Sequence, residues 1–154
     1  SRRITGYAVS KTLEATGNLT ALQMMLGSQK LQSEGLIHHS DRGSQYIDKE
    51  YRSLLKAKGI RISMCKEAWE NAYSERVNRT IKEEYLQWWS INNFKELKNC
   101  VEKAVKHYNY NRKHHSLGYQ TPVCFEETLS TLEETQRPKM KIYKKQELNI
   151  IYNK

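Results

Sequence analysis

The chain has 154 residues, with 26 basic against 17 acidic side chains, a net charge of +9 and a pI near 9.4. That length suits one domain with a real core. At 38% hydrophobic residues and a mean hydropathy of −0.85 it holds no membrane-length apolar run and no stretch reading as a signal peptide. So large a basic excess repels itself and attracts a polyanion; nucleic acid is expected before a membrane surface, because no basic amphipathic anchor stands apart.

The chain begins without a Met and already inside a strand-like run, Arg3 to Val9, alternating around Gly6 and Ala8, so it reads as a fragment of something longer. Asn18 or Thr20 can cap a helix running to about Lys30, with Leu19, Leu22, Met25 and Leu26 buried. Leu36 to Ser40 reads as a second strand. Asp48 caps a helix that turns Tyr51, Leu54 and Leu55 inward and ends at Gly59. Ile60 to Met64 alternates as a half-exposed third strand, and strands separated by helices argue for an α/β domain with a partly parallel sheet. A helical pattern then runs from about Asn71 to Trp89. Tyr73, Val77, Ile81, Tyr85 and Trp88 lie on one side; Glu75, Asn78, Arg79 and Lys82 lie on the other. A second long helix, about Asn93 to Asn109, carries the stripe Phe94, Leu97, Val101, Ala104, Val105 and Tyr108. Aromatic, amide and basic side chains alternate from Tyr108 to His115, as suits phosphate contact and base stacking, before Gly118 turns the chain and Thr121-Pro122 opens a last helix. Beyond Glu133 periodicity fades into a basic tail, Arg137 to Lys145. Cys65, Cys100 and Cys124 read as free thiols in a reducing compartment, and no CxxC or HxxxH spacing supports a zinc site.

Asp occurs only at 41 and 48. Asp48 is explained as a cap. Asp41 stands at the tip of the second strand, where an Asx-turn with Gly43 is one use for it and a fixed, reachable carboxylate is another. Glu75 projects from an exposed helix face, free either to pair with Arg79 at i,i+4 or to act as a ligand.

Four ordered blocks carry a resemblance: Ser1 to Ala8, His39-Ser40-Asp41-Arg42-Gly43-Ser44-Gln45-Tyr46, Asn71-Ala72-Tyr73-Ser74-Glu75-Arg76-Val77-Asn78, and Tyr108 to Pro122. Together they resemble the ribonuclease-H-like catalytic core of the retroviral-integrase type, as found in insertion-sequence transposases of the Asp-Asp-Glu class. The resemblance implies an α/β fold with a mixed sheet flanked by helices, its first strand missing. It implies a partial catalytic core over 1–129 and a basic tail over 130–154.

By the same resemblance Asp41 and Glu75 are the second and third acidic residues, catalytic and metal-binding, and Asn71 matches the motif's asparagine. Mg²⁺ or Mn²⁺ is the cofactor, two ions in the complete site. Arg79 and Lys82 on the Glu75 helix, and Arg112, Lys113 and His115 in the last block, are candidate DNA contacts. The implied activity is metal-dependent DNA strand cleavage and strand transfer on element ends and target. The protein would work as a homo-oligomer on DNA, away from membranes, in the cytoplasm and on the nucleoid when bound. The family's leading Asp lies upstream of Arg2, so this fragment is expected to hold metal poorly and not to catalyse. The loop Cys65 to Glu70 lacks the usual Gly and Pro, with Trp69 where a small residue is common. The alternatives are a non-catalytic DNA-binding remnant or regulator of an intact transposase, and a ribonuclease of the same fold.

Overall fold

The computed structural model describes residues 1–12, 15–28 and 35–138. Its elements are α1 (Ala15–Leu26), β1 (Ile37–Ser40), a short α2 (Ser44–Ile47), α3 (Lys49–Ala57), β2 (Arg61–Met64), α4 (Ala72–Thr80), α5 (Phe94–Tyr110) and α6 (Pro122–Thr131). Among the described residues β1 and β2 form the one sheet, parallel and in register from Ile37 opposite Arg61 to Ser40 opposite Met64. The α/β class holds with a sheet of two strands.

Local signals account for most of these elements. Asp48 caps α3, its Oδ1 accepting from the amides of Glu50 (2.9 Å) and Tyr51 (3.0 Å). Asn93 caps α5 by accepting from the Glu96 amide, and Thr121 caps α6 by accepting from the Cys124 amide. Gly59 follows α3 at φ 67°, a left-handed turn open to glycine.

Three expectations are corrected. Residues 3–9 form no strand. A strand needs a partner strand, and here a side chain takes that place: the Ile4 amide donates to Asn109 Oδ1 and Asn109 Nδ2 donates to the Ile4 carbonyl, both at 2.9 Å. α1 begins at Ala15, so Asn18 and Thr20 lie inside it and cap nothing; Lys30 is outside the described residues. The helix expected from 71 to 89 is broken. A 3₁₀ turn (Ala68–Asn71) leads into α4, a π-helical turn (Ile81–Tyr85) follows it, and a 3₁₀ turn (Leu86–Trp88) ends the run. The basic tail from residue 139 onward lies outside the described residues.

Burial is divided between two clusters. Leu19, Leu22, Tyr51, Leu55 and Ile60 join α1 and α3 to the start of β2. Ile81, Ala104, Val105 and Tyr108 join α5 to the π turn, with Ile4, Tyr7 and Val77 packed against them. The sheet end and α4 therefore belong to different halves, connected by residues 65–71.

Candidate active site

Parallel pairing fixes what meets at the C-terminal end of the sheet. The Cys65 amide donates to the Ser40 carbonyl at 2.8 Å, continuing the ladder one step past β2. Asp41 is the next residue after Ser40, so it and Cys65 leave the two strands side by side. Arg42 Nε donates to the Cys65 carbonyl at 3.1 Å and ties the turn to the neighbouring strand. Asp41 is exposed, and one of its oxygens accepts from the Gly43 amide at 2.9 Å. The Asx-turn therefore forms, and Oδ2 makes no protein hydrogen bond among the described residues.

His39 sits two residues before Asp41 and so shares its side of the strand. Its Nδ1 lies 2.9 Å from Ser63 Oγ and its Nε2 3.1 Å from Cys65 Sγ. Glu70 organises the following loop: the Lys66 amide donates to its carboxylate at 2.6 Å, and this bond, ahead of the charges of His39 and Lys66, holds its pKa below the usual carboxylate value.

Glu75 lies exposed in the first turn of α4. Arg79, its i+4 neighbour, turns instead toward Glu83 at 3.9 Å. No ion pair engages Glu75 among the described residues. The Cys65 thiol, beside His39, is buried. Burial first, then the negative charges of Glu70, Asp41 and Glu75, push its pKa up. The charges of Asp41 and Glu75 come last among these causes, after burial and Glu70. His39, Cys65 and Glu70 were not singled out from sequence as part of this site. The signals for them were the i,i+2 spacing of His39 and Asp41 and the Glu67-x-x-Glu70 capping spacing.

The basic residues divide by environment. Lys82 is exposed on the π turn, and Lys113 and His115 are exposed beyond α5. His115 meets Tyr119 edge-on, ring centroids 5.2 Å apart. Arg112 is engaged: Nε and Nη2 donate to the two oxygens of Glu84, each at 2.7 Å, and Nη1 lies 3.2 Å from His114 Nδ1. That bidentate pair raises the Arg112 pKa and lowers that of Glu84. At the chain's start the Arg2 guanidinium lies over the ring of Tyr73, 4.9 Å from its centroid, two residues before Glu75.

Two family profiles, both described as integrase core domain, match residues 1–68 and 58–122. An insertion element IS600 protein of Shigella sonnei, described as an uncharacterized 31 kDa protein, is 38% identical over 129 residues, 80% of this chain and 46% of that protein. The transposase for insertion sequence element IS629 of the same organism is 32% identical over 121 residues, 77% of this chain and 40% of the relative. The transposase for element IS904 of Lactococcus lactis is 30% identical over 129 residues, 82% of this chain and 51% of the relative. The chain spans about half the length of these curated relatives.

Among solved structures, the HTLV-2 integrase catalytic core domain in complex with magnesium aligns at TM-score 0.56 and 18% identity, covering 78% of this chain and 74% of that one. A chain of the simian T-cell lymphotropic virus intasome in complex with PP2A regulatory subunit B56 gamma aligns at TM-score 0.62 and 15% identity, covering 86% and 46%. At such identities the likeness is one of fold, the ribonuclease-H-like α/β core. The chain belongs to the integrase core domain family, in the form carried by insertion-sequence transposases.

Proposed function

We propose that this chain is the catalytic-core part of an insertion-sequence transposase that cleaves DNA strands at the element ends and joins them to a target. The observation that carries this reading is that Asp41, at the tip of β1, and Glu75, in the first turn of α4, are both exposed carboxylates that no cation engages among the described residues, in a chain matched by the integrase core over residues 1–122.

Two hard oxygen donors suit Mg²⁺ or Mn²⁺, which take one or two carboxylates and complete their shell with water and phosphate oxygens. Asp41 and Glu75 would hold the metal, with a further acidic ligand supplied from outside the described residues. Divalent metal held there would supply charge neutralisation for an in-line phosphodiester displacement.

The protein's own residues orient and bind. The Asx-turn and the Arg42 bond to Cys65 fix Asp41 at the strand tip, and the first turn of α4 presents Glu75. Arg79 and Lys82 along the same helix run, and Lys113 and His115 beyond α5, contact DNA phosphates. Arg112, braced by Glu84, holds the loop that carries the last two. Action as a homo-oligomer on DNA is part of the proposal; the intasome membership of one structural neighbour supports it. No helix among the described residues is long and apolar enough to cross a membrane.

The test uses the full-length gene product, element-end DNA and Mg²⁺ or Mn²⁺. Asp41→Asn and Glu75→Gln should each abolish nicking and joining while DNA affinity is kept or increased. Retained activity in either variant would overturn the assignment. DNA binding by an inert full-length protein, unaffected by Mg²⁺, would favour the non-catalytic DNA-binding alternative.

A further inference from the structure

α3 carries an arrangement that its own stability does not explain. Its inward face is Tyr51, Leu54 and Leu55; on the opposite face stand Lys49, Arg52 and Lys56, all exposed, with Ser53 beside them. At about 100° per residue these four fall within a single stripe roughly 100° wide. Lys49 is the first helical residue, where a cation opposes the positive end of the helix dipole. Lys49 with Arg52 (i,i+3) and Arg52 with Lys56 (i,i+4) are like-charge neighbours, each pair unfavourable. Glu50, the helix's one acidic residue, has Tyr46, Ser53 and Leu54 at its i−4, i+3 and i+4 positions, so it relieves none of them.

The stripe also faces a shaped space. Lys49, Arg52, Ser53 and Lys56, together with Gly59, Ile60 and Ile62 leading into β2, line an open groove of about 600 Å³. No carboxylate lines it. Ile62, 38% exposed, supplies an apolar surface beside the cations. Lys49 and Lys56 are separated by roughly 10 Å along the helix, about three steps of 3.4 Å along one DNA strand. The groove opens at the start of β2, roughly 13 Å along the strand from Cys65 and the carboxylates.

We infer that the α3 groove is a second DNA-contact surface, separate from the candidate active site, which grips the phosphate backbone of duplex DNA through Lys49, Arg52 and Lys56. This rests on the proposed function in that the polyanion is DNA. It adds a contact face that positions duplex away from the reacting strand.

The test measures affinity of the chain for an arbitrary 20-base-pair duplex as a function of salt. Three phosphate contacts contribute about 2.7 to the magnitude of the log–log salt slope. The variant Lys49→Gln/Arg52→Gln/Lys56→Gln should lose that amount, so wild type should weaken about 40-fold more than the variant between 50 and 200 mM salt. Lys95→Gln/Lys98→Gln/Lys103→Gln on α5 removes the same net charge and should change the slope by less than one. Lys49→Arg/Lys56→Arg should retain the wild-type slope. Circular dichroism checks that each variant is folded. An unchanged slope in the α3 variant, or an equal drop in the α5 variant, overturns the inference and leaves the proposed function standing. Failure of the wild-type chain to bind duplex at all also overturns the inference, whereas the proposed function falls only if the full-length protein neither nicks nor joins DNA.

Discussion

Asn109 is the most informative single residue to remove. It is 6% exposed, near the end of α5, and exchanges two hydrogen bonds of 2.9 Å with the backbone of Ile4. Asn109→Ala deletes both. Each is worth about 1 kcal/mol net, and Ile4, half-buried, recovers part of its loss by bonding water. With a small packing term the cost is about 2 to 3 kcal/mol, against a total stability of about 5–15 kcal/mol. For a domain of this length that lowers Tm by roughly 4–10 °C. Urea unfolding reads the energy, and hydrogen exchange at the Ile4 amide reads the mechanism, since its protection should vanish first. Asn109→Asp keeps the acceptor and loses the donor, so at pH 7 it should also destabilise, with recovery as acid returns a proton to the side chain. A loss below about 0.5 kcal/mol in Asn109→Ala, or an Ile4 amide still protected, would refute the claim that this side chain stands in for a strand. Arg2, which covers Tyr73 on the Glu75 helix, lies two residues from the tether, so the variant should also loosen that contact.

Asp48→Ala should cost about 1 kcal/mol by removing the α3 cap, with Asp48→Ser recovering most of it, read as a shift in urea midpoint at constant m. Arg112→Lys breaks the bidentate contact with Glu84; because both side chains are partly exposed, the loss should stay below about 1 kcal/mol and shrink in high salt. Glu84 titrates below its ordinary 4.5 because of Arg112, so the pair contributes fully above that value and is lost as pH falls through the lowered one. The Lys variant should lack that acid-dependent component. His38 and His114 are both held below the ordinary 6.5, chiefly by burial, His114 also by Arg112 and Arg2 against an opposing Glu84. The unfolded chain then binds more protons than the folded one below about pH 6.5, so stability should fall as pH drops from 7.5 to 5.5. A flat or rising urea midpoint over that range would contradict this.

What could be read from the sequence was what short spacing determines. The caps at Asp48 and Thr121, the buried sides of α1, α3 and α5, and the exposure of Asp41 and Glu75 each follow from residues within a turn or two of one another. The strand expected at residues 3–9 failed because alternation shows only that a segment could pair, not what it pairs with. The break after Thr80 was written in the pattern itself: Tyr73, Val77, Ile81 and Tyr85 recur every four residues, a wider period than the 3.6 of an α-helix. The links between Arg112 and Glu84 and between His39 and Cys65 join residues 28 and 26 apart. Such contacts come from the packing of elements and leave no local trace.

The π turn has a directional consequence. At its end the Leu86 amide bonds back to the Ile81 carbonyl, five residues earlier, so the turn carries an extra residue. Deleting one residue between 81 and 85 would rewind it to ordinary pitch, and because four steps of about 100° close nearly the same turn as the five wider steps of the π turn, the chain downstream would keep its bearing about the axis of α4. Trp88, 76% exposed and bonded through Nε1 to the Glu83 carbonyl of that turn, would still point to the same side. The π turn is therefore the one place in this run where a codon can be lost without re-aiming the indole; the same loss within α4 would turn it by about 100°.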